Sequence, residues 1–188
     1  MMGKSKLLVI LMFIFQWTSA QQTKQKPLQF QVMVQAGLLE GEKGSAFQVH
    51  VINGVRLNQW SIGVGTGLDY YGFRSVPLYL DIRRMLVAKP TSPFLYLNAG
   101  THFTWLNSEQ QPEWETVRNR PGLLLETGLG YQIPIKQHAL YFSAGYSLKS
   151  MTQEITSEIC PFLPPCVETT SRFDYTFRRI SVRAGFRF

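Results

Sequence analysis

Cysteine and histidine are scarce in this chain, acidic side chains are outnumbered, and no long apolar run follows the first twenty residues. There are 2 cysteines and 3 histidines among 188 residues. A structural zinc site needs four ligands, usually Cys and His at short spacings. His50, His102 and His138 are far apart, so no metal centre is expected. No stretch past residue 20 approaches the roughly 18 consecutive apolar residues of a transmembrane helix, so no such helix is expected there. Sustained helical periodicity is missing too. The 12 acidic residues stand against 19 basic ones, for a net charge of +7. A basic balance can signal nucleic acid when Lys and Arg cluster on one face. Here they are scattered through strand-like segments and loops, and nucleic-acid binding is not expected.

What is present begins with an export signal. Lys4 and Lys6 precede an apolar run over residues 7–15, and Thr18, Ser19 and Ala20 offer small residues before Gln21. A basic start, a short apolar core and a small-residue exit are the parts of a secretory signal peptide. Residues 1–20 are therefore expected to be removed, leaving residues 21–188 as one domain. No cysteine stands at the cleavage point, which argues against a lipid anchor. Cys160 and Cys166 enclose Pro-Phe-Leu-Pro-Pro, and in an exported protein two close cysteines are expected to form a disulfide. Closing so short a loop would restrict the unfolded chain by about 2 kcal/mol.

Period-2 alternation, the mark of a strand with two unlike faces, recurs in eight segments. They lie at residues 29–36, 47–52, 60–69, 76–83, 95–105, 123–132, 140–149 and 179–188. Two architectures accommodate eight such strands: a soluble barrel or sandwich with an apolar interior, and a transmembrane barrel turned inside out. The set opposite the apolar residues holds glycines, serines and glutamines, together with Asp81, Arg83, Glu126, Lys149, Arg179 and Arg183. Charges of both signs suit a narrow polar lumen, where they can pair. The apolar set would then face lipid, with Trp60, Trp105, Tyr131, Tyr146, Phe186 and Phe188 near segment ends as interfacial aromatics.

The connections support the second architecture. Those near residues 53–59, 87–93 and 134–138 are tight, whereas residues 107–121 and 150–175 form long polar stretches. The connections at 38–45 and 70–75 are shorter but fall on the same side as the long ones. Membrane barrels have short periplasmic turns and longer external loops. The expected fold is thus an all-β antiparallel transmembrane barrel of about eight strands in the bacterial outer membrane.

Several runs carry a family resemblance. The stretch from Gly63 through Val64, Gly65, Thr66, Gly67, Leu68 and Asp69 to Tyr70-Tyr71, followed by Arg74, Pro77, Leu78, Asp81 and Arg83, resembles the small outer-membrane β-barrel proteins of the Bacteroidetes. The Phe142-Ser-Ala-Gly-Tyr146 segment fits the same family. The final alternating run, ending in Phe186 and Phe188, resembles the terminal-strand signal read by the barrel assembly machinery. The resemblance implies an eight-stranded barrel of OmpA/OmpX size. It implies no established activity, since fold does not carry function.

Candidate chemistry is thin. Gly63, Gly65 and Gly67 lack the third glycine of a dinucleotide loop, the lysine of a phosphate loop and a following helix. They read instead as small wall residues that leave room for large lumen side chains such as arginine. The six inward charges read as a salt-bridge plug, with Arg83 or Arg183 expected beside Glu126; an ion path is the alternative. His102, Ser143 and Glu126 suggest a hydrolase triad only in name, because all three fall on the inward face and nothing orients them together. The expected role is non-enzymatic: structural, anchoring or adhesive, without a cofactor. Expected partners are outer-membrane lipid, lipopolysaccharide (attracted to basic side chains around a barrel rim) and the barrel assembly machinery. A surface partner at 107–121 or 150–175 is a further candidate. A lipid-modifying enzyme and a soluble periplasmic barrel for an apolar ligand are the alternatives.

Overall fold

The computed structural model describes residues 28–104, 115–159 and 167–188. The signal segment 1–20, Trp105 and the Cys160–Cys166 pair lie outside the described residues. Nine antiparallel strands follow in order: β1 (Gln29–Gly41), β2 (Gly44–Leu57), β3 (Trp60–Asp69), β4 (Ser75–Met85), β5 (Ser92–Thr104), β6 (Glu115–Arg120), β7 (Gly122–Ile135), β8 (His138–Ile159) and β9 (Val167–Arg187). Eight of them form a ring. Neighbours pair from β1 through β5 to β7 and β8, β8 pairs β9, and β9 returns to β1 from Met33↔Arg187 to Gly41↔Arg179. Closure removes the open edges that an eight-stranded sheet would otherwise expose.

The ring sorts its side chains inside out. Buried among the described residues are 20 polar or charged side chains against 13 apolar ones, and 30 large hydrophobics stand exposed. Along β4, Ser75, Pro77, Tyr79, Asp81, Arg83 and Met85 are buried, while Leu78, Leu80 and Arg84 are exposed. On β7, Glu126 is 3 % exposed and its neighbour Leu125 is 37 % exposed. This is the face assignment that the alternation implies.

Two expectations need correction. Residues 150–175 are not chiefly a loop, since β8 continues to Ile159 and β9 starts at Val167, in unbroken register from Ala139↔Arg187 to Ile159↔Val167. Within 107–121 lies β6, which pairs only β8. These strand portions stand beyond the ring as a three-stranded ribbon, β6–β8–β9. Beyond the apolar cluster that Met151 and Tyr175 join at its base, neither face of the ribbon must be apolar and the period-2 signal fades into Thr, Gln, Glu and Ser. The second correction concerns 38–45, which is nearly all strand, with Glu42 and Lys43 as a two-residue turn and Gly44 at a left-handed φ of 86°.

β6 and β7 are one strand broken at Pro121, which has no N–H to give to the ladder. Pairing moves from Arg120↔Thr152 to Leu124↔Lys149, so residues 121–123 face residues 150–151 across a β-bulge. The freed groups find partners, with Leu123 N donating to Ser150 Oγ at 3.2 Å and Thr101 Oγ1 donating to Gly122 O at 2.9 Å.

Candidate functional site: the charged lumen

All six charges expected inside, Asp81, Arg83, Glu126, Lys149, Arg179 and Arg183, are buried in the lumen. A seventh, Asp69, organises half of them. As the last residue of β3, Asp69 accepts from Arg179 Nη1 at 2.6 Å and from Lys149 Nζ at 3.2 Å through one oxygen. Its other oxygen accepts from the Tyr71 backbone at 2.8 Å. Lys149 also donates to Ser75 Oγ at 2.7 Å and to the carbonyls of Tyr71 and Phe73 at 3.5 and 3.4 Å. Arg179 reaches Ser147 Oγ at 2.7 Å and lies 5.4 Å from the Tyr71 ring. One carboxylate thus holds two cations, and hydroxyls, carbonyls and an aromatic face take up other donors, while Arg179 Nε is left without a partner.

Nearer the end that carries Leu28 and Phe188 lies a second layer. Arg183 is paired with Glu126, which also accepts from Tyr96 Oη at 2.8 Å. The Arg183 guanidinium sits 5.1 Å from the Tyr96 ring. Arg83 instead grips Asp81, two residues away on its own strand, through Nε at 2.9 Å and Nη2 at 3.0 Å. Of the two partners expected for Glu126, the structure selects Arg183. Arg83 is flanked by the rings of Phe94 and Tyr141 at 5.5 and 5.6 Å. His50 Nδ1 pairs with Tyr79 Oη at 2.7 Å.

Among side chains, the tightest contacts at the wall glycines are with aromatic rings, and Arg183 Cγ lies 2.7 Å from where a Cβ on Gly37 would be. A Cβ on Gly65 would lie 2.4 Å from Tyr79 Cζ, and one on Gly145 would lie 2.2 Å from Tyr96 Oη. Those two tyrosines hold His50 and Glu126, so the glycine spacing helps to build the polar network. At the ribbon end the lumen is closed by apolar side chains instead. Leu39, Tyr71, Met151 and Phe177 are buried together, with Phe73 and Tyr175 packed against them. The Lys43 ammonium lies 5.5 to 5.7 Å from the rings of Phe73, Tyr175 and Phe177.

No triad forms from His102, Ser143 and Glu126. His102 Nε2 is engaged with Ser150 O at 2.8 Å, and Glu126 is committed to Arg183 and Tyr96. Ser143 faces Gly130 and Arg183, whereas Glu126 pairs across to Ser147, four residues further along β8. Among the described residues no group of three or more His, Cys, Asp or Glu is placed to hold a metal ion. Phe186 and Phe188 lie at the seam of β8, β9 and β1. Their rings are 4.9 Å apart and both approach His138, and Phe188 N donates to Val32 O at 2.9 Å.

Asp69 is the residue that sequence reading left out of the network, although its parity with Gly63, Gly65 and Gly67 puts it on the inward face. Tyr79 and Tyr96 share the parity of Asp81 and Asn98 and so fall on the inward face too, but parity does not show that their hydroxyls hold His50 and Glu126.

No family model matches the chain, and no curated protein matches it in sequence. Solved structures do match. Neisserial surface protein A is 15 % identical, with 86 % of this chain and 98 % of that one covered and a TM-score of 0.53. A major outer membrane protein from Thermus thermophilus is 13 % identical over 87 % of this chain and 100 % of that one, with a TM-score of 0.55. The N-terminal β-barrel domain of Pseudomonas aeruginosa OprF is 11 % identical over 86 % and 100 %, with a TM-score of 0.50. At these identities the likeness is one of architecture, and the fold of this chain is that of an outer-membrane β-barrel.

Proposed function

We propose that this chain is an integral outer-membrane protein with a structural, anchoring or adhesive role, presenting the β6–β8–β9 ribbon at the cell surface. The observation that carries the reading is the inverted sorting: ion pairs fill the interior while Leu, Val, Ile and Phe cover the exterior. In water that exterior would be an aggregation surface far larger than the few hundred Å² a monomer tolerates. In a bilayer it is the required solvent contact. The paired lumen and the aromatic seal favour a plug over a conduit. The run from Gly63 to Arg83, which resembles that of small Bacteroidetes barrels, supports a bacterial source of that kind. Residues 1–20 serve as the export signal, Phe186 and Phe188 as the contact read during assembly, and basic rim residues as sites for lipopolysaccharide. The end bearing Leu28 and Phe188 faces the periplasm.

Extraction from cells, heating before electrophoresis and thiol labelling test this together. The protein is expected to leave the membrane only with detergent, to migrate differently before and after boiling, and to expose Cys160 and Cys166 to an impermeant label on intact cells only after reduction. Recovery without detergent sinks the membrane reading. Labelling that requires a breached outer membrane inverts the topology.

The lipid face has its own test. Leu125→Arg is expected to destabilise the barrel by roughly 2–4 kcal/mol if position 125 lies near the bilayer midplane, less toward an interface. Urea unfolding from phospholipid vesicles measures the loss. An unchanged midpoint would remove Leu125 from the lipid contact.

A further inference from the structure

The barrel mouth that bears Leu28 and Phe188 is built unlike the rest of the lumen. It holds a cavity of about 1280 Å³. Four cationic side chains line it, Arg56, Lys89, Lys136 and Arg187, with His138 beside them, and none of the described Asp or Glu side chains does. Deeper in the lumen every described arginine and lysine has a carboxylate partner: Arg83 has Asp81, Arg183 has Glu126, and Arg179 and Lys149 share Asp69. The rule that governs the interior stops at the mouth.

Arg56 and Arg187 come from β2 and β9, on either side of β1, and line the same cavity. Arg56 Nε has only the Asn58 carbonyl, at 3.3 Å, and the Arg187 guanidinium rests 5.9 Å from the Tyr141 ring. Two guanidinium groups lining one cavity present forked donors suited to an oxyanion. The focusing of the field within a low-dielectric mouth strengthens that attraction. Among the lining residues, Gln132 is 2 % exposed; its Nε2 donates to Pro90 O at 3.2 Å, while its Oε1 has no partner. A buried acceptor left unpaired is costly, and a ligand hydroxyl would satisfy it. The mouth therefore offers donors for a dianion and, in the same cavity, an acceptor for a hydroxyl.

We propose that this vestibule binds a phosphate ester that carries a free hydroxyl, with Arg56 and Arg187 holding the phosphate and Gln132 Oε1 accepting from the hydroxyl. A lipid headgroup of the phosphoglycerol type and a soluble polyol phosphate share this chemistry.

The test uses the full mature barrel, with folding verified by heat-modifiable migration. In zwitterionic micelles, sn-glycerol 3-phosphate is titrated by calorimetry against the wild type, the R56Q/R187Q variant and Arg84→Gln. Arg84 carries a charge outside the cavity, over Trp60. In parallel, barrels are reconstituted in mixed phosphatidylglycerol and phosphatidylcholine nanodiscs, and native mass spectrometry reads the retained lipid. A soluble ligand gives saturable titration that weakens at least tenfold in R56Q/R187Q and is unchanged in Arg84→Gln. A lipid ligand gives selective retention of phosphatidylglycerol, lost in the same double variant. Neither binding, or binding that the double variant leaves intact, overturns the proposal. Because Arg56 and Arg187 have no carboxylate partner, their replacement leaves no buried charge stranded and the barrel is expected to fold.

Discussion

Asp69→Ala is expected to produce the largest loss of stability of any single lumen substitution, on the order of 3–5 kcal/mol. The carboxylate is shared by Arg179 and Lys149, which are 2 % and 0 % exposed. Without it both cations face one another across a cavity from which water is largely excluded. An arginine stays charged at any accessible pH, so Arg179 has no route to neutrality. Ser147, Ser75 and the carbonyls of Tyr71 and Phe73 remain as partners, but none carries a charge. The loss is measured as the shift in urea midpoint for protein refolded into vesicles. Adding Arg179→Met to Asp69→Ala should recover a substantial part of it, because the non-titratable cation is then gone. A D69A barrel within about 1 kcal/mol of wild type, well short of the usual cost of breaking a buried pair, would mean that water reaches this layer.

Glu126→Ala is expected to cost about 3 kcal/mol by the same mechanism, somewhat less than Asp69→Ala. It strands one cation, not two, and Arg183 keeps the Tyr96 ring 5.1 Å away. The Tyr96 hydroxyl loses its acceptor as well. Glu126→Gln separates these contributions, since an amide oxygen can still accept from Tyr96 while the charge is removed. The double variant E126A/R183M should be more stable than E126A alone. If E126A and R183M are additive in a double-mutant cycle, the two side chains are not coupled and the layer is wrongly drawn.

How much of this was legible beforehand follows from where one face is apolar. Within the ring, lipid-facing Leu, Val and Ile on alternate residues reveal all eight strands and place Asp81, Arg83, Glu126, Lys149, Arg179 and Arg183 on the inner face. In the ribbon Thr, Gln, Glu and Ser dominate, and residues 150–159 and 167–175 read as a loop although they are strand. Partners are harder than faces. Parity says that Glu126 points inward, but the choice of Arg183 over Arg83 depends on the stagger around the whole ring, which alternation does not encode. Arg83 is taken by Asp81 because residues two apart on a strand share a face. That pairing was open to sequence reading. The Tyr96–Glu126 contact was not, since it joins residues 30 apart across two strands.

The length of β8 and β9 has a mechanical meaning. At 22 and 21 residues and roughly 3.3 Å per residue, each is about 70 Å of continuous strand. Their mutual ladder runs without a break from the terminal seam at Ala139↔Arg187 to Ile159↔Val167. No joint therefore separates the part that protrudes from the part that is embedded. A pull along the ribbon axis loads this ladder in shear, with many hydrogen bonds resisting at once, whereas a sideways pull would open them one at a time. On the other side of β8 the wall is interrupted, at the bulge of residues 121–123 between β6 and β7. Tension applied to the ribbon would thus pass down two continuous strands into the barrel wall.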